Sequence, residues 1–163
     1  MSSISQLLTD NNPHSNILET AGKLANHTGI PAYVVGGYVR DIMLGKPSSD
    51  IDIMVEGDGI AFSKQLAKEL NINVTVDYDK FGTALIPHPE VGIEVATARK
   101  EDYDPGSRKP KVTASTVEED MSRRDFTINA ISASILPDNF GELYDPFGGI
   151  KDLQKGLIIT PLD

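Results

Sequence analysis

Two aspartates separated by one residue are the part of the sequence best suited to metal chemistry. They belong to an alternating run, Asp50-Ile51-Asp52-Ile53, that predicts a strand over residues 51–55. Alternate side chains of a strand share a face, so both aspartates point the same way and the isoleucines point into a core. Their Cα atoms are then about 6.5–7 Å apart. Such a pair suits Mg²⁺, which prefers carboxylate and phosphate oxygens. The alternative is the solvated face of an edge strand, which would have the same alternation without binding a metal.

A double glycine upstream is a candidate phosphate site. Gly36 and Gly37 end an apolar run at residues 32–35 and begin a helical turn. Glycines let the backbone approach a phosphate, and free N–H groups at a helix start attract anions. Arg40, one turn later, can add a charge-assisted contact. The spacing is neither that of a P-loop nor Gly-x-Gly-x-x-Gly, and a tight strand-to-helix turn without a ligand is the alternative.

Strands and helices interleave along the chain, which predicts one α/β or α+β unit around a mixed sheet. Residues 101–115, rich in proline, glycine and charge, predict a loop that includes the basic run 108–111. Thr116 and Glu119 fit a capping box at a helix start. The predicted strands are 32–35, 51–55, 73–76, 83–86, 92–96 and 133–136, and the predicted helices are 13–28, 38–44, 59–70, one that starts at 116, and 125–132.

The composition is that of one ordinary globular domain. The chain has 163 residues, 39% of them apolar and 24% charged, and no cysteine. It has no apolar run long enough for a membrane helix and no N-terminal secretory pattern, so we expect no membrane partner and a cytoplasmic location. Residues 1–12 are polar, and we expect them to be frayed or disordered. The net charge of −9 by itself argues against a nucleic-acid partner.

Three motifs together resemble one family. The first consists of GGYVRD at 36–41, Leu-Gly at 44–45 and Asp-Ile-Asp at 50–52; the second is RRDFTINA at 123–130. A third, weaker one is LYDPFGGIKDL at 143–153. In this order they resemble the tRNA nucleotidyltransferase and poly(A) polymerase family of the polymerase β superfamily, most closely its bacterial CCA-adding type.

The resemblance implies a fold and a reaction. The fold would be a polymerase β-like head over residues 13–163, with a mixed sheet of about five strands and helices on one face. The reaction would be Mg²⁺-dependent attack of an RNA 3′ hydroxyl on CTP or ATP, most closely CCA addition to tRNA. We expect the neck, body and tail that hold the tRNA to be absent from this chain. A poly(A) polymerase of the same family and a non-catalytic nucleotide- or RNA-binding module are the alternatives.

The resemblance also assigns roles to the carboxylates. Asp50 and Asp52 would be the metal ligands and catalytic residues. Glu94 stands where the superfamily keeps a third carboxylate, where it could orient or deprotonate the attacking hydroxyl; an ordinary strand-face acid is an equal alternative. Residues 119–123 match the Glu-Asp-x-x-Arg pattern with which the family recognises the bases of CTP and ATP. In this chain the pattern precedes the Arg-Arg-Asp motif, whereas in the family it follows that motif. We interpret them as an acidic helix start and expect the base reader beyond Asp163.

The remaining predicted site residues would bind the nucleotide. Arg124 and Asp125 would contact the incoming nucleotide, Asp125 at the ribose hydroxyls. Asn129 would support Asp125 or cap locally, and Arg123 would either contact phosphate or be a solvated helix-end charge. Asp41 would be structural. The complete predicted nucleotide-binding set is Gly36, Gly37, Arg40, Arg124, Asp125 and Asn129.

Overall fold

The computed structural model describes residues 2–103, 106 and 110–161 of the chain. Residues 108 and 109 of the predicted basic loop therefore lie outside the described part. The helices are α1 (Ser5–Thr9), α2 (Ser15–Thr28), α3 (Gly37–Met43), α4 (Gly59–Glu69), α5 (Val117–Ser122) and α6 (Gly149–Lys155). The strands are β1 (Ala32–Val35), β2 (Asp50–Val55), β3 (Val76–Tyr78), β4 (Thr83–Pro87), β5 (Gly92–Thr97), β6 (Arg99–Tyr103), β7 (Pro110–Ala114), β8 (Ser132–Ser134) and β9 (Leu143–Tyr144).

The main sheet has seven strands in the order β3-β4-β5-β2-β1-β8-β9. Its neighbouring strands are antiparallel except for the central pair, β2 and β5, which are parallel. The sheet is therefore mixed, as predicted, but larger than the five or so strands expected. β6 and β7 form a separate two-stranded antiparallel sheet.

One face of the main sheet carries the larger hydrophobic core. Ile51 and Ile53 of β2 are buried here against apolar residues of α1, α2, α3 and α4. Full burial of such a side chain stabilises the fold by about 1.5–3 kcal/mol. The spacing of Leu18, Ala21 and Ala25 buries one stripe of α2, and the helix ends where Gly29 adopts a left-handed conformation. The predicted packing of helices on one face therefore holds for these four helices.

The opposite face is only partly covered. A smaller core joins Tyr33, Val35 and Met54 of the sheet to Val117 and Met121 of α5. The α5 helix begins at the predicted N-cap, because the Thr116 hydroxyl accepts the Glu119 N–H at 3.3 Å. The part of this face nearer β5, β4 and β3 carries the exposed or half-buried side chains that form the candidate site.

The N-terminal segment is ordered, and the prediction that residues 1–12 are frayed is wrong for the described residues. Ile4 and Leu8 are 2% and 0% exposed and belong to the larger core. The Ile4 N–H also donates to the Gly141 carbonyl at 2.9 Å. Ile4 and Leu8 lie four residues apart on one face of a single helical turn, too short a pattern to stand out from the polar residues around it.

Two more predictions are wrong in the second half of the chain. The predicted helix at 125–132 is a 3₁₀ turn, Thr127–Asn129. The Phe126 N–H donates to Asp125 Oδ1 at 2.7 Å and the Thr127 N–H donates to the Ile159 carbonyl at 2.8 Å, so both bond outside a helical ladder. Much of the predicted loop at 101–115 forms the hairpin β6–β7. Among the described residues, no helix combines the length and apolarity needed to cross a bilayer.

Candidate active site

The aspartates of β2 share the incompletely covered face of the sheet. Asp50 is exposed and Asp52 half-buried, whereas Ile51 and Ile53 between and after them are buried on the other side. This is the alternation predicted from the sequence. Parallel pairing with β5 sets Asp52 opposite Glu94, so three carboxylates occupy one face of two neighbouring strands.

Gly92 gives the Asp50 carboxylate its space. It is the register partner of Asp50 across the parallel pair. A Cβ atom added to Gly92 would lie 2.6 Å from Asp50 Oδ1, closer than real side chains approach. The Asp50 carboxylate therefore leans over β5 because position 92 has no side chain.

Burial and nearby negative charge change the acidity of the Asp52 carboxyl. Burial, and then repulsion from Glu94, raise the pKa of Asp52 from 3.8 to about 6, with Asp50 adding to the rise and Arg124 opposing it. A bound cation would relieve this repulsion. Arg124, from the second motif, therefore lies within electrostatic range of Asp52 in the first.

The donor set fits a metal shared with a substrate. Within the described ranges, no three Asp, Glu or His side chains are grouped so that they could hold a metal ion by themselves. Mg²⁺ usually keeps several waters and needs only one or two protein carboxylates together with substrate phosphates. Asp50 and Asp52 meet that requirement.

The double glycine lies beside these carboxylates. β1 runs antiparallel to β2, so the end of β1 and the turn after it adjoin the start of β2. Gly36 has φ +66°, which glycine adopts without the strain that a side chain would cause. Cβ atoms added at Gly36 and Gly37 would lie 3.5 Å from Arg124 Nη1 and 3.3 Å from Arg40 Nη2. Two guanidinium groups therefore line the turn.

A chain of hydrogen bonds links Arg40 to Asp125. Arg40 Nη1 donates to Asn129 Oδ1 at 2.7 Å, and Asn129 Nδ2 donates to Asp125 Oδ1 at 3.0 Å. The hydrogen bond from Asn129 lowers the pKa of Asp125, so this exposed carboxylate is ionised at neutral pH. Arg40 Nε also pairs with Asp41 at 3.1 Å, as predicted for a structural aspartate. Asn129 thus supports Asp125, which was one of its two predicted roles.

Asp120 anchors the second arginine, and sequence reasoning missed it. Its carboxylate is 1% exposed and accepts two hydrogen bonds from Arg124, at 3.0 and 3.2 Å, and one from Arg123 at 3.3 Å. The backbone N–H of Arg99 donates to it at 2.9 Å. Residues 119–122 do lie in the capped helix α5, but Asp120 faces inward. The available signal was its spacing of three and four residues from Arg123 and Arg124.

Arg123 fits neither of its predicted roles. It is half-buried and paired with Asp120, rather than solvated or directed at a phosphate site.

The structure brings together every other residue predicted for the site. The carboxylates lie on β2 and β5, and the residues predicted to bind the nucleotide surround the turn after β1.

The sequence matches the family model described as the Poly A polymerase head domain over residues 32–159. It is 40% identical over 147 residues to an A-adding tRNA nucleotidyltransferase of Geobacter sulfurreducens, covering 90% of this chain and 17% of the relative. It is 45% identical over 127 residues to an A-adding tRNA nucleotidyltransferase of Aquifex aeolicus, covering 78% of this chain and 15% of the relative. The chain thus spans about a sixth of the length of these relatives.

Solved structures share the fold. A CCA-adding enzyme in an apo form superposes with a TM-score of 0.87 at 40% identity, covering 98% of this chain and 38% of the other. A Thermotoga maritima CCA-adding enzyme complexed with tRNA gives 0.81 at 37% identity, covering 98% and 36%. A CCA-adding enzyme in complex with CTP gives 0.81 at 38% identity, covering 98% and 35%. The polymerase β-like fold predicted for this chain is confirmed, and the chain belongs to the family of the poly(A) polymerase head domain.

Proposed function

We propose that this chain is the nucleotide-transferring head of an enzyme that adds nucleotides to the 3′ end of tRNA, with Mg²⁺ held by Asp50 and Asp52. The observation that carries the proposal is the carboxylate pair on one face of β2, beside a glycine turn lined by Arg40 and Arg124. Acids and arginines meet there as a metal–triphosphate complex requires.

The chain's own residues divide the work between the two reactants. Arg40 and Arg124 bind the triphosphate over the Gly36–Gly37 turn, and Asp125 accepts hydrogen bonds from the ribose hydroxyls, which favours ribonucleotides. Glu94 takes the proton of the RNA 3′ hydroxyl. The 3′ oxygen of the RNA attacks the α-phosphorus, and the bond from that phosphorus to the leaving pyrophosphate breaks. Mg²⁺, when bound, supplies positive charge that stabilises the attacking and leaving oxygens.

The proposed substrates are CTP and ATP, and the proposed product is the CCA end of tRNA. Support comes from the relatives solved with CTP and with tRNA. Addition of A alone is a second candidate activity, because the two relatives at 40% and 45% identity are A-adding tRNA nucleotidyltransferases. The enzyme that carries this domain would extend a tRNA that lacks all three nucleotides if it adds CCA. An A-adding enzyme would extend only a tRNA that already ends in CC.

Calorimetric titration of the chain with ATP and CTP tests the metal–nucleotide part of this proposal. We expect binding in Mg²⁺ that disappears in EDTA and in Asp52→Ala, with little preference between the two bases. Asp138→Ala is the matched control. Asp138 is an exposed aspartate of the 3₁₀ turn Pro137–Asn139, far along the chain from Asp50 and Asp52. Equal binding in EDTA would favour a non-catalytic binding module, and strong base preference would place the base reader within this chain.

A further inference from the structure

The face of β2 that carries the aspartates continues to a glutamate just past the end of the strand. Four side chains occupy alternate positions of this face: Asp50, Asp52, Met54 and Glu56. The Glu56 N–H donates to the Pro31 carbonyl at 2.9 Å, so the pairing of β2 with the chain before β1 extends one residue further. Burial, and then the Glu56 carboxylate, raise the pKa of Tyr33 to about 12, which places this carboxylate beside the smaller core.

Glu56 holds the start of α5. Its Oε1 accepts the backbone N–H of Val117 at 2.8 Å, a contact between residues 61 apart in the chain. Val117 is the first residue of α5, and its N–H is one of the donors that a helix leaves without a partner in its own first turn. Thr116 caps a different donor, the N–H of Glu119. A side chain from the end of β2 therefore fixes where α5 begins.

From Glu56, α5 runs back along β2 toward the aspartates. Met54 of β2 and Met121 of α5 belong to the same smaller core. Arg124, two residues after the helix, lies within electrostatic range of Asp52. The strand spans about 13 Å from Asp52 to Glu56, and α5 continued to Arg124 spans about 10 Å. Strand and helix thus cover nearly the same distance in opposite directions.

The other contacts of α5 leave its position along β2 to be set by Glu56. The helix has six residues, too few to be stable without tertiary contacts. Methionine side chains such as Met54 and Met121 adapt their shape, so this core tolerates a shift of the helix. Asp120 fixes the Arg124 guanidinium to α5 and to the backbone of β6. Glu56 connects α5 to β2 itself, the strand that carries the aspartates.

We propose that Glu56 is a positioning residue for nucleotide binding. By accepting the Val117 N–H it sets the place of α5 along β2, and with it the distance from Arg124 to the aspartates. A triphosphate with its metal must meet carboxylates and guanidinium together, so an error in this distance weakens its binding. The inference rests on the proposed function and adds to it a residue that acts through α5.

Calorimetric titration of the chain with ATP in Mg²⁺ tests the role of Glu56. Glu56→Ala removes the acceptor, and we expect affinity for ATP to fall by about 5- to 30-fold. Glu56→Gln keeps an acceptor oxygen at the same reach and should stay within about twofold of the wild type. Glu56→Asp keeps the charge but is one methylene shorter, so it should resemble Glu56→Ala. The three variants together separate reach from charge.

A double-mutant cycle shows whether Glu56 acts through the arginine. Arg124→Ala should itself weaken ATP binding, and Glu56→Ala should then have no further effect. An equal loss with and without the arginine would show that Glu56 only supports the fold, and this result would overturn the inference. Glu118→Ala is the matched control, since Glu118 is an exposed glutamate in the first turn of the same helix. Its affinity for ATP should equal that of the wild type.

Thermal unfolding identifies which variants are folded at the temperature of the titration. If Glu56→Ala is unfolded there, the difference between Glu56→Gln and Glu56→Asp decides the question. Mg²⁺-dependent ATP binding that is equally strong in the wild type and in Glu56→Asp would contradict the inference and leave the proposed function standing. Wild-type binding that is equally strong in EDTA would instead remove the proposed function, and the inference with it.

Discussion

The carboxylates and the arginines of the site are held in place by different means. The carboxylates, Asp50, Asp52 and Glu94, are positioned by strand alternation and by the parallel register of β2 with β5. The Asp50 carboxylate accepts a long hydrogen bond from the Ser49 hydroxyl at 3.4 Å. Their oxygens thus stay available for a cation, while the backbone fixes where the cation can bind.

The arginines are instead fixed by side-chain partners. Arg40 is held by Asp41 and Asn129, and Arg124 by the buried Asp120. A guanidinium that is already held in one geometry loses less conformational entropy when it binds a phosphate. The proposed metal site thus depends on backbone regularity, whereas the proposed phosphate site, built from long side chains, depends on a second layer of residues.

Removal of a carboxylate that we propose binds the metal should have the largest effect. We expect Asp50→Ala or Asp52→Ala to reduce nucleotide addition by the enzyme that carries this domain by at least about 10³-fold, because metal coordination contributes several kcal/mol to the transition state. Thermal unfolding of the chain should show an intact fold, because neither side chain belongs to the core. Near-normal addition in either variant would remove the metal assignment, and Asp138→Ala should behave as the wild type.

Removal of the charge at Asp120 should show that the arginines depend on a buried partner. Asp120→Asn leaves Arg123 and Arg124 without their carboxylate, and loss of one partner of a buried ion pair destabilises proteins by about 3–5 kcal/mol. Urea unfolding of the chain measures the change. Affinity for Mg²⁺–ATP should fall as well. Glu118→Gln, an exposed acid on the same helix, is the control. A destabilisation below about 1 kcal/mol would mean that Asp120 does not hold the arginines.

The same contrast explains how much the sequence could predict. The shared face of Asp50 and Asp52 follows from a period of two, and the turn at Gly36 and Gly37 from the glycines themselves. Both are local properties, and the structure has them as expected. The motif resemblance added Arg124 and Asp125, although the sequence pattern placed Asp125 in a helix that does not form.

What could not be predicted depends on contacts between distant parts of the chain. The hydrogen bond from Arg40 to Asn129 spans 89 residues, and only the tertiary fold makes it. An acidic residue at a helix start is usually solvated, so the burial of Asp120 has no sequence signal beyond its spacing from two arginines. The order at the N-terminus likewise depends on Ile4 and Leu8 entering a core formed by the rest of the chain.

The pH dependence of stability should distinguish Asp52 from the rest of the molecule. Its pKa is raised in the folded state, from 3.8 to about 6, so the folded protein binds a proton that the unfolded protein releases between those values. The free energy of unfolding therefore falls as pH rises from about 4 to about 6, by roughly 1–3 kcal/mol, and stays low above that range.

Urea unfolding at several pH values without divalent ions measures this dependence. The difference between the wild type and Asp52→Asn isolates the group, because other titrations cancel. Asp52→Asn should be the more stable protein at pH 7, and the two should converge near pH 4. Added Mg²⁺ should stabilise the wild type more at pH 7 than at pH 5. A constant difference across pH would contradict the raised pKa of Asp52.

Gly92→Ala should give the smallest effect and show most sharply how the backbone positions the carboxylates. The new Cβ would lie 2.6 Å from Asp50 Oδ1, and the short side chain of Asp50 can rotate away without disturbing the strand. Stability should change little, while affinity for Mg²⁺–ATP should fall by about tenfold, or about 1.4 kcal/mol. A double-mutant cycle supplies the control: in the Asp50→Ala background, Gly92→Ala should have no further effect, because the displaced carboxylate is gone. An equal loss in both backgrounds would show that Gly92 acts on the strand itself and not through Asp50.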